Sequence, residues 1–293
     1  YRSSRGLGDV YKRQSLILCF LNLLIIFNIN IFASENDKSF QEQSMLSVLY
    51  VQTSAEFEAN NIQTYNSAKD ILDFALSDDS WTAVLEQKSN YADKPPAIII
   101  DIDETVLDNS KFQGRTIISG LSYPNGWIEW VNEANATPVA GVKDFLEYTD
   151  EKGIKIFYLT NRLESLRDAT QKNLIKLNLP FDTKEKILLM REDPDVRDKT
   201  SRRELIAEKY RVLLLIGDQL TDFVSTDEAY VFHKERKKVA KKYDQMWGKK
   251  WFMITNPTYG RWEYSLYDQF PESEEEAIKY RKEVLKRLSL IHI

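Results

Sequence analysis

The 293-residue chain holds one cysteine, Cys19, and two histidines, His233 and His292. A single thiol excludes a disulfide framework, a structural zinc cluster and any two-cysteine redox motif, and its setting in Leu-Ile-Leu-Cys-Phe argues against a reactive thiolate. Metal sites built on imidazole are left almost without ligands. Positive charge is short as well, with 40 Lys and Arg against 45 Asp and Glu, a formal charge of -5. Nucleic-acid polymers require a concentrated basic surface that displaces counterions, so they are excluded as partners. Glycine and proline number 10 and 8, too few for a collagen-like chain or a flexible low-complexity one, and no internal repeat is present. What remains, 43% hydrophobic with 12% aromatic residues, suffices to bury one large domain or one domain with a cap.

The longest apolar run, residues 16–27 with Asn22 its one polar member, breaks at Asn28 and Asn30 before reaching the roughly 20 apolar residues of a membrane span. With Ile31-Phe32-Ala33 after it, the run reads as a signal peptide over 15–33, which places the mature protein in the periplasm or outside the cell. Membrane contact is then expected only through this segment or a lipid anchor. Bulky Leu18 before Cys19 is not the small residue a lipidation signal wants. Residues 1–14 and 288–293 resemble translated sequencing-adaptor ends, leaving 34–287 as the expected native domain. That span has no cysteine, and His233 is its sole histidine.

Apolar residues recur at helical spacing from Ser44 to Ser77, predicting two amphipathic helices that pack on the first strand or join a cap. Ala97 to Ile102 reads as a strand buried on both faces, and Lys155–Leu159, Val212–Ile216 and Trp251–Ile254 look alike. Helical stretches alternate with them at 142–151, 163–177, 199–210 and 236–246, and a charged helix is expected at 272–288. This alternation predicts an α/β fold, a Rossmann-like parallel sheet with helices on both faces. The core is expected from about residue 94, with a small, mainly helical cap drawn from 44–88 and 111–137. The basic run His233–Lys242 reads as a solvated helix face.

Ligands of open parallel sheets gather at the carboxyl ends of the strands. Those ends here carry Asp101-Ile102-Asp103-Glu104-Thr105, then Thr160-Asn161-Arg162, then Gly217-Asp218 with Asp222 four residues on, while Lys199 opens the helix before the third strand. Alternation along an extended segment puts Asp101 and Asp103 on one side, where two ionised carboxylates repel unless something pairs them. A hard cation resolves this: Mg2+ prefers oxygen ligands, and Asp101, Asp218 and the carbonyl of Asp103 supply them. Asp101 is then placed to attack phosphorus, and Asp103 to protonate the leaving alcohol and deprotonate water. Thr160 and Lys199 are expected to hold phosphoryl oxygens. Taken singly, each motif has an ordinary explanation, such as a helix cap or a surface lysine. Their order, three of the four directly after predicted strands, is what points to chemistry.

The stretches DIDETVLDNS (101–110), YLTNR (158–162), KTSRR (199–203), IGDQLTDF (216–223) and NPTYGRWE (256–263) resemble the haloacid-dehalogenase superfamily, and within it the class C bacterial acid phosphatases that include the lipoprotein e type of 5'-nucleotidase. The resemblance implies Asp101 as nucleophile, Asp103 as acid and base, Thr160, Asn161 and Lys199 as phosphate ligands, and Asp101, Asp103, Asp218 and Asp222 around Mg2+. It further implies small phosphomonoester substrates, often nucleoside 5'-monophosphates and nicotinamide mononucleotide, with the base between Trp127 and Tyr259, and a possible homodimer. Core packing is expected for Trp130 and Trp262. Gln219 stands where the family usually has Asn, a neutral exchange expected to leave metal binding intact. A non-catalytic phosphate-binding or storage protein on the same fold is the alternative. Carbon–halogen hydrolysis is disfavoured, since it needs neither the second acidic residue nor a cation.

Overall fold

The computed structural model describes residues 42–290. The expected signal peptide and the segment before it lie outside the described residues. A short turn at Glu42–Ser44 leads into α1 (Met45–Thr53), and Ser54 then caps α2 (Ala55–Ser77) by accepting the Phe57 N–H at 3.1 Å. In chain order there follow β1 (Pro96–Ile100), β2 (Leu107–Asp108), α3 (Ser110–Ser119), α4 (Trp127–Glu133), β3 (Thr137–Pro138), α5 (Val142–Glu151) and β4 (Lys155–Leu163). The second half adds α6 (Arg167–Lys176), β5 (Leu188–Arg191), α7 (Thr200–Ala207), β6 (Arg211–Gly217), α8 (Thr226–Ala229), α9 (His233–Lys242), β7 (Trp251–Met253), α10 (Arg261–Tyr264) and α11 (Glu274–Ser289).

The main sheet runs β5-β4-β1-β6-β7, every pair parallel, while β2 and β3 form a small antiparallel ribbon beside the end of β1. Ala97 to Ile100 and all of β6 are buried, as continuous apolar runs in a covered parallel sheet require. Each buried Ile or Leu there contributes on the order of 1.5–3 kcal/mol of transfer free energy. Helix α2 packs on β6, β7 and α5, and α5 packs on β4. Gly141, at φ 86°, lets α5 begin against α2: a Cβ there would stand 3.0 Å from the Ile62 Cα. Arg211 of β6 fastens the end of α2 by donating to the carbonyls of Leu76 at 2.8 Å and of Asp78, where the helix dipole favours a cation.

The structure corrects several expectations. A fifth strand, β5, was not anticipated, because its four residues are flanked by charge and loop. Strand β4 runs on through Thr160, Asn161 and Arg162 to Leu163, with a register break after Leu159, so α6 starts later than expected. The long part of the expected cap over 44–88 is a layer of the core, since α2 lies on the sheet, whereas α1 packs against α3. Trp262 is 43% exposed and its indole N–H donates to the Tyr259 carbonyl, so it is not a core residue, whereas Trp130 is buried. Helix α9 has no fully buried residue and sets only Val239 partly against the core, which leaves a solvated basic face. No helix among the described residues is long and apolar enough to cross a membrane.

Candidate active site

The sheet order sets the carboxyl end of β1 between those of β4 and β6, which brings Asp101, Thr160 and Asp218 side by side. Asp101 N–H continues the ladder to the Ile216 carbonyl at 2.9 Å, and the chain then turns tightly, with the N–H groups of Val106 and Leu107 both 2.8 Å from the Ile102 carbonyl. Buried Tyr65 of α2 pins that turn through its hydroxyl, 2.7 Å from the Thr105 carbonyl. Glu104, inside the turn, adopts the left-handed region at φ 58°. Its carboxylate accepts the Asn109 N–H at 3.0 Å and the Tyr259 hydroxyl, so the strained loop is held from two sides.

Asp101, Asp218 and Asp222 each place a carboxylate oxygen within 4.8 Å of the others. The ammonium of Lys199 enters this group and spends its three protons on Asp101 Oδ1, on Asp222 Oδ1 at 2.6 Å and on the Leu159 carbonyl at 2.8 Å. Asp222 Oδ2 accepts the Gln219 N–H at 2.8 Å. Asp218 Oδ2 accepts from the amides of Gln219 and Asn256, both at 2.8 Å. Asp101 Oδ2 and Asp218 Oδ1 are thus left without a donor among the described residues. Three carboxylates against one ammonium, with hard oxygens still open, fit a divalent cation and nothing that needs nitrogen or sulfur ligands. Burial pushes the Asp101 carboxyl well above its ordinary value despite the opposing pull of Lys199, and burial with neighbouring Asp222 raises Asp218 to about 7. Burial works against charge on Lys199 too, but Asp101 and Asp222 outweigh it and raise its pKa.

Asp103 stands outside the carboxylate group. Its Oδ1 accepts Arg162 Nε at 3.0 Å, Arg162 Nη2 at 2.8 Å and Asn109 Nδ2 at 2.9 Å, and its Oδ2 faces the Thr160 hydroxyl at 3.5 Å. A buried, forked guanidinium aims the Asp103 carboxyl, a partner that the motif reading did not include. Asn161 is not brought to the cluster, because its side-chain amide donates to the Arg197 carbonyl at 3.0 Å and accepts from Arg202 at 2.7 Å. Trp127 lies half-buried between Phe112 and Tyr123, with the Arg162 guanidinium 5.4 Å from its ring centre. Tyr259 meets the same loop through Glu104. The two rings thus attach to the motif segment through adjacent acidic residues, Trp127 through the partner of Asp103 and Tyr259 through Glu104.

Sequence reasoning missed Glu104, Asn109, Arg162 and Asn256 as site residues, although all four sit inside the motif stretches. Their shared signal is a polar residue beside a known motif position. Gln219, noted only as a departure, fits because Gly260 leaves room for it: a Cβ at 260 would come within 2.6 Å of its amide.

Comparison with known proteins places these motifs in context. Residues 27–262 match the family described as HAD superfamily, subfamily IIIB (acid phosphatase). A class C acid phosphatase from Bacillus anthracis, solved with tungstate bound, superposes with a TM-score of 0.74 at 36% identity, covering 83% of this chain and 96% of that one. Acid phosphatase 1 of Solanum lycopersicum is 25% identical over 142 residues, 45% of this chain and 53% of its own length. The stem 28 kDa glycoprotein of Glycine max is 31% identical over 134 residues, 43% of this chain and 52% of its own. The chain thus spans about half the length of the plant relatives it matches.

Proposed function

The chain belongs to the HAD superfamily, subfamily IIIB, of the acid phosphatases, and on that premise we propose that it hydrolyses small phosphomonoesters through an aspartyl-phosphate on Asp101. The observation that carries this reading is the buried convergence of Asp101, Lys199, Asp218 and Asp222 at one strand end. Asp101, Asp218 and Asp222, with the Asp103 carbonyl, would hold Mg2+, which when bound neutralises charge on the incoming phosphate. Asp101 attacks phosphorus with an oxygen that Lys199 does not occupy. Asp103, held by Arg162 through Oδ1, gives a proton to the departing alcohol and later takes one from water. The Thr160 hydroxyl donates to a phosphoryl oxygen, and the Lys199 ammonium offsets the charge that develops there. The tungstate bound by the Bacillus anthracis enzyme is a tetrahedral oxyanion of the phosphate type, which supports an oxyanion as the ligand of this fold.

Nucleoside 5'-monophosphates and nicotinamide mononucleotide are the substrates we favour, the base lying between Trp127 and Tyr259. Release to the periplasm or the exterior is supported by the apolar leader at 15–33 and by glycoproteins among the relatives. A storage role on the same fold is less well supported, because both catalytic carboxylates are present. Phosphate release from 5'-nucleotides, 3'-nucleotides, nicotinamide mononucleotide and sugar phosphates, with Mg2+ and with EDTA, tests the proposal. Release is expected to need the cation and to vanish in Asp101→Asn without loss of fold. Substantial turnover by that variant would sink the mechanism.

A further inference from the structure

Arg191 ends β5 with its side chain buried, and its Nε and Nη1 are enclosed with no hydrogen-bond acceptor among the described residues. A guanidinium cannot shed its proton to escape that cost. Other buried arginines have partners: Arg162 has Asp103, Arg203 has Glu86, and Arg211, though its Nε is unmet, donates both Nη groups to carbonyls at the end of α2. Arg191 is a buried cation whose anion is not supplied by the described residues around it.

The cavity it lines is mixed in charge, with acidic Glu185, Glu192, Asp193 and Glu208 on its wall, and Arg191 and Arg202 mark one basic end of it. Arg191 and Arg202 line a cavity of about 630 Å³ between β5 and α7. Arg202 donates to the Thr160 carbonyl and to Asn161 Oδ1, both at 2.7 Å, so the basic end of the cavity abuts the strand end that carries Thr160. Burial first, and then the nearby Arg197, depress the Arg191 pKa below its ordinary value, while Asp193 opposes this without forming an ion pair. Glu192 and Asp193 on the cavity wall are exposed; Glu192 faces Lys186 at 3.5 Å and Asp193 accepts the Asp195 N–H at 2.9 Å, and neither pairs with Arg191 among the described residues. In the order β5-β4-β1, Arg191 lies two strands from Asp101, roughly 10 Å sideways at normal strand spacing. Two phosphates of one molecule reach both places only if several bonds separate them, as in a sugar bisphosphate. The phosphorus atoms of a pyrophosphate share one oxygen and are too close.

We propose that Arg191, with Arg202 beside it, is a second anion subsite that holds the non-reacting phosphate of a bisphosphate substrate. The subsite rests on the phosphatase reading for the position of the reacting phosphate. Arginine suits it because its forked donors match two phosphate oxygens.

Binding measured by calorimetry in the Asp101→Asn protein with Mg2+ separates this subsite from turnover. The probes are fructose 1,6-bisphosphate, fructose 6-phosphate and inorganic phosphate. The bisphosphate is expected to bind at least about tenfold more tightly than the monophosphate, the low end for a charged hydrogen-bonded contact. Arg191→Gln should erase that preference while leaving monophosphate affinity within about twofold, and should raise the thermal midpoint of the unliganded protein by removing an unpaired buried charge. Equal affinity for both sugars with Arg191 intact would overturn the proposal, whether or not the variant folds. So would a variant that weakens both sugars alike, or one that loses inorganic phosphate binding with no bisphosphate preference to lose. Failure of the phosphatase reading would appear separately, as absent phosphate release with Asp101 in place.

Discussion

Gly217, the last residue of β6, lies so close to Asp222 that a Cβ at 217 would stand 2.3 Å from Oδ2 and 2.5 Å from Cγ of that carboxylate. The glycine serves close approach here, letting Asp222 fold back onto the Gln219 N–H while reaching Lys199 with its other oxygen. Gly217→Ala is expected to displace Asp222 from Lys199 and open the carboxylate group. The overpacking should cost about 1–3 kcal/mol of stability in denaturant unfolding. Cation affinity should fall at least about tenfold, a difference of ~1.4 kcal/mol. A calorimetric Mg2+ titration equal to that of the parent would show that the close approach is dispensable.

Arg162 supplies a second prediction, since it meets Asp103 with two nitrogens while its own side chain is 2% exposed. Arg162→Ala should leave the Asp103 carboxylate facing the loop without its cation and lower kcat by about 10²–10⁴-fold, the usual share of a positioned general acid. Loss of a buried partner should also cost about 3–5 kcal/mol. Arg162→Lys restores the charge without the fork and should recover only part of kcat. A kcat within twofold of the parent in Arg162→Ala, from steady-state kinetics on a folded variant, would remove Arg162 from the mechanism.

How legible this arrangement was in the chain follows from the kind of interaction involved. The motif ends at Asp101, Thr160 and Asp218 were readable because continuous apolar runs mark buried parallel strands, and strand ends mark the site. Strand β5 was not, because its apolar run, Ile187 to Met190, is too short to distinguish from a helix fragment. The clamp of Arg162 on Asp103 joins residues 59 positions apart, and no local pattern names such a partner. The same holds for Tyr259 on Glu104. Asn161 misled because adjacency to Thr160 in sequence says nothing of direction in a strand, where successive side chains point to opposite faces.

Asp198 gives a pH dependence away from the carboxylate cluster. Burial works against its charge, but the Thr200 side chain, the Thr226 N–H, the Thr200 N–H at 2.6 Å and the Thr226 hydroxyl outweigh burial and bring its pKa down to about 2. The folded value lies below the unfolded one of about 3.9. Its stabilisation is therefore fully present above the unfolded value and is lost as pH falls from about 4 through about 2. Because Asp198 ties the start of α7, next to Lys199, to the start of α8, acid should loosen the lysine's anchorage. Thermal midpoints followed from pH 5 to about 2 are expected to fall less steeply in Asp198→Asn than in the parent. Parallel curves would show that Asp198 does not contribute to acid unfolding.

Trp127 carries the last prediction, because its ring is tied to the chemistry through Arg162 instead of through the phosphate. The guanidinium over its ring and T-shaped contacts with Phe112 and Tyr123 hold the indole, and the residue stays only half-buried. If that ring receives a base opposite Tyr259, Trp127→Ala removes about 1–3 kcal/mol of stacking, roughly five- to 150-fold in KM for nucleoside 5'-monophosphates. Sugar phosphates have no base to stack, so their KM should change less than about threefold, and every base should lose similarly because each has a π-face. The ratio of the two KM changes is the diagnostic quantity, since any disturbance of Arg162 and Asp103 acts on both substrate classes. A uniform fall in kcat with unchanged selectivity would mean that Trp127 positions Arg162 and does not touch the base.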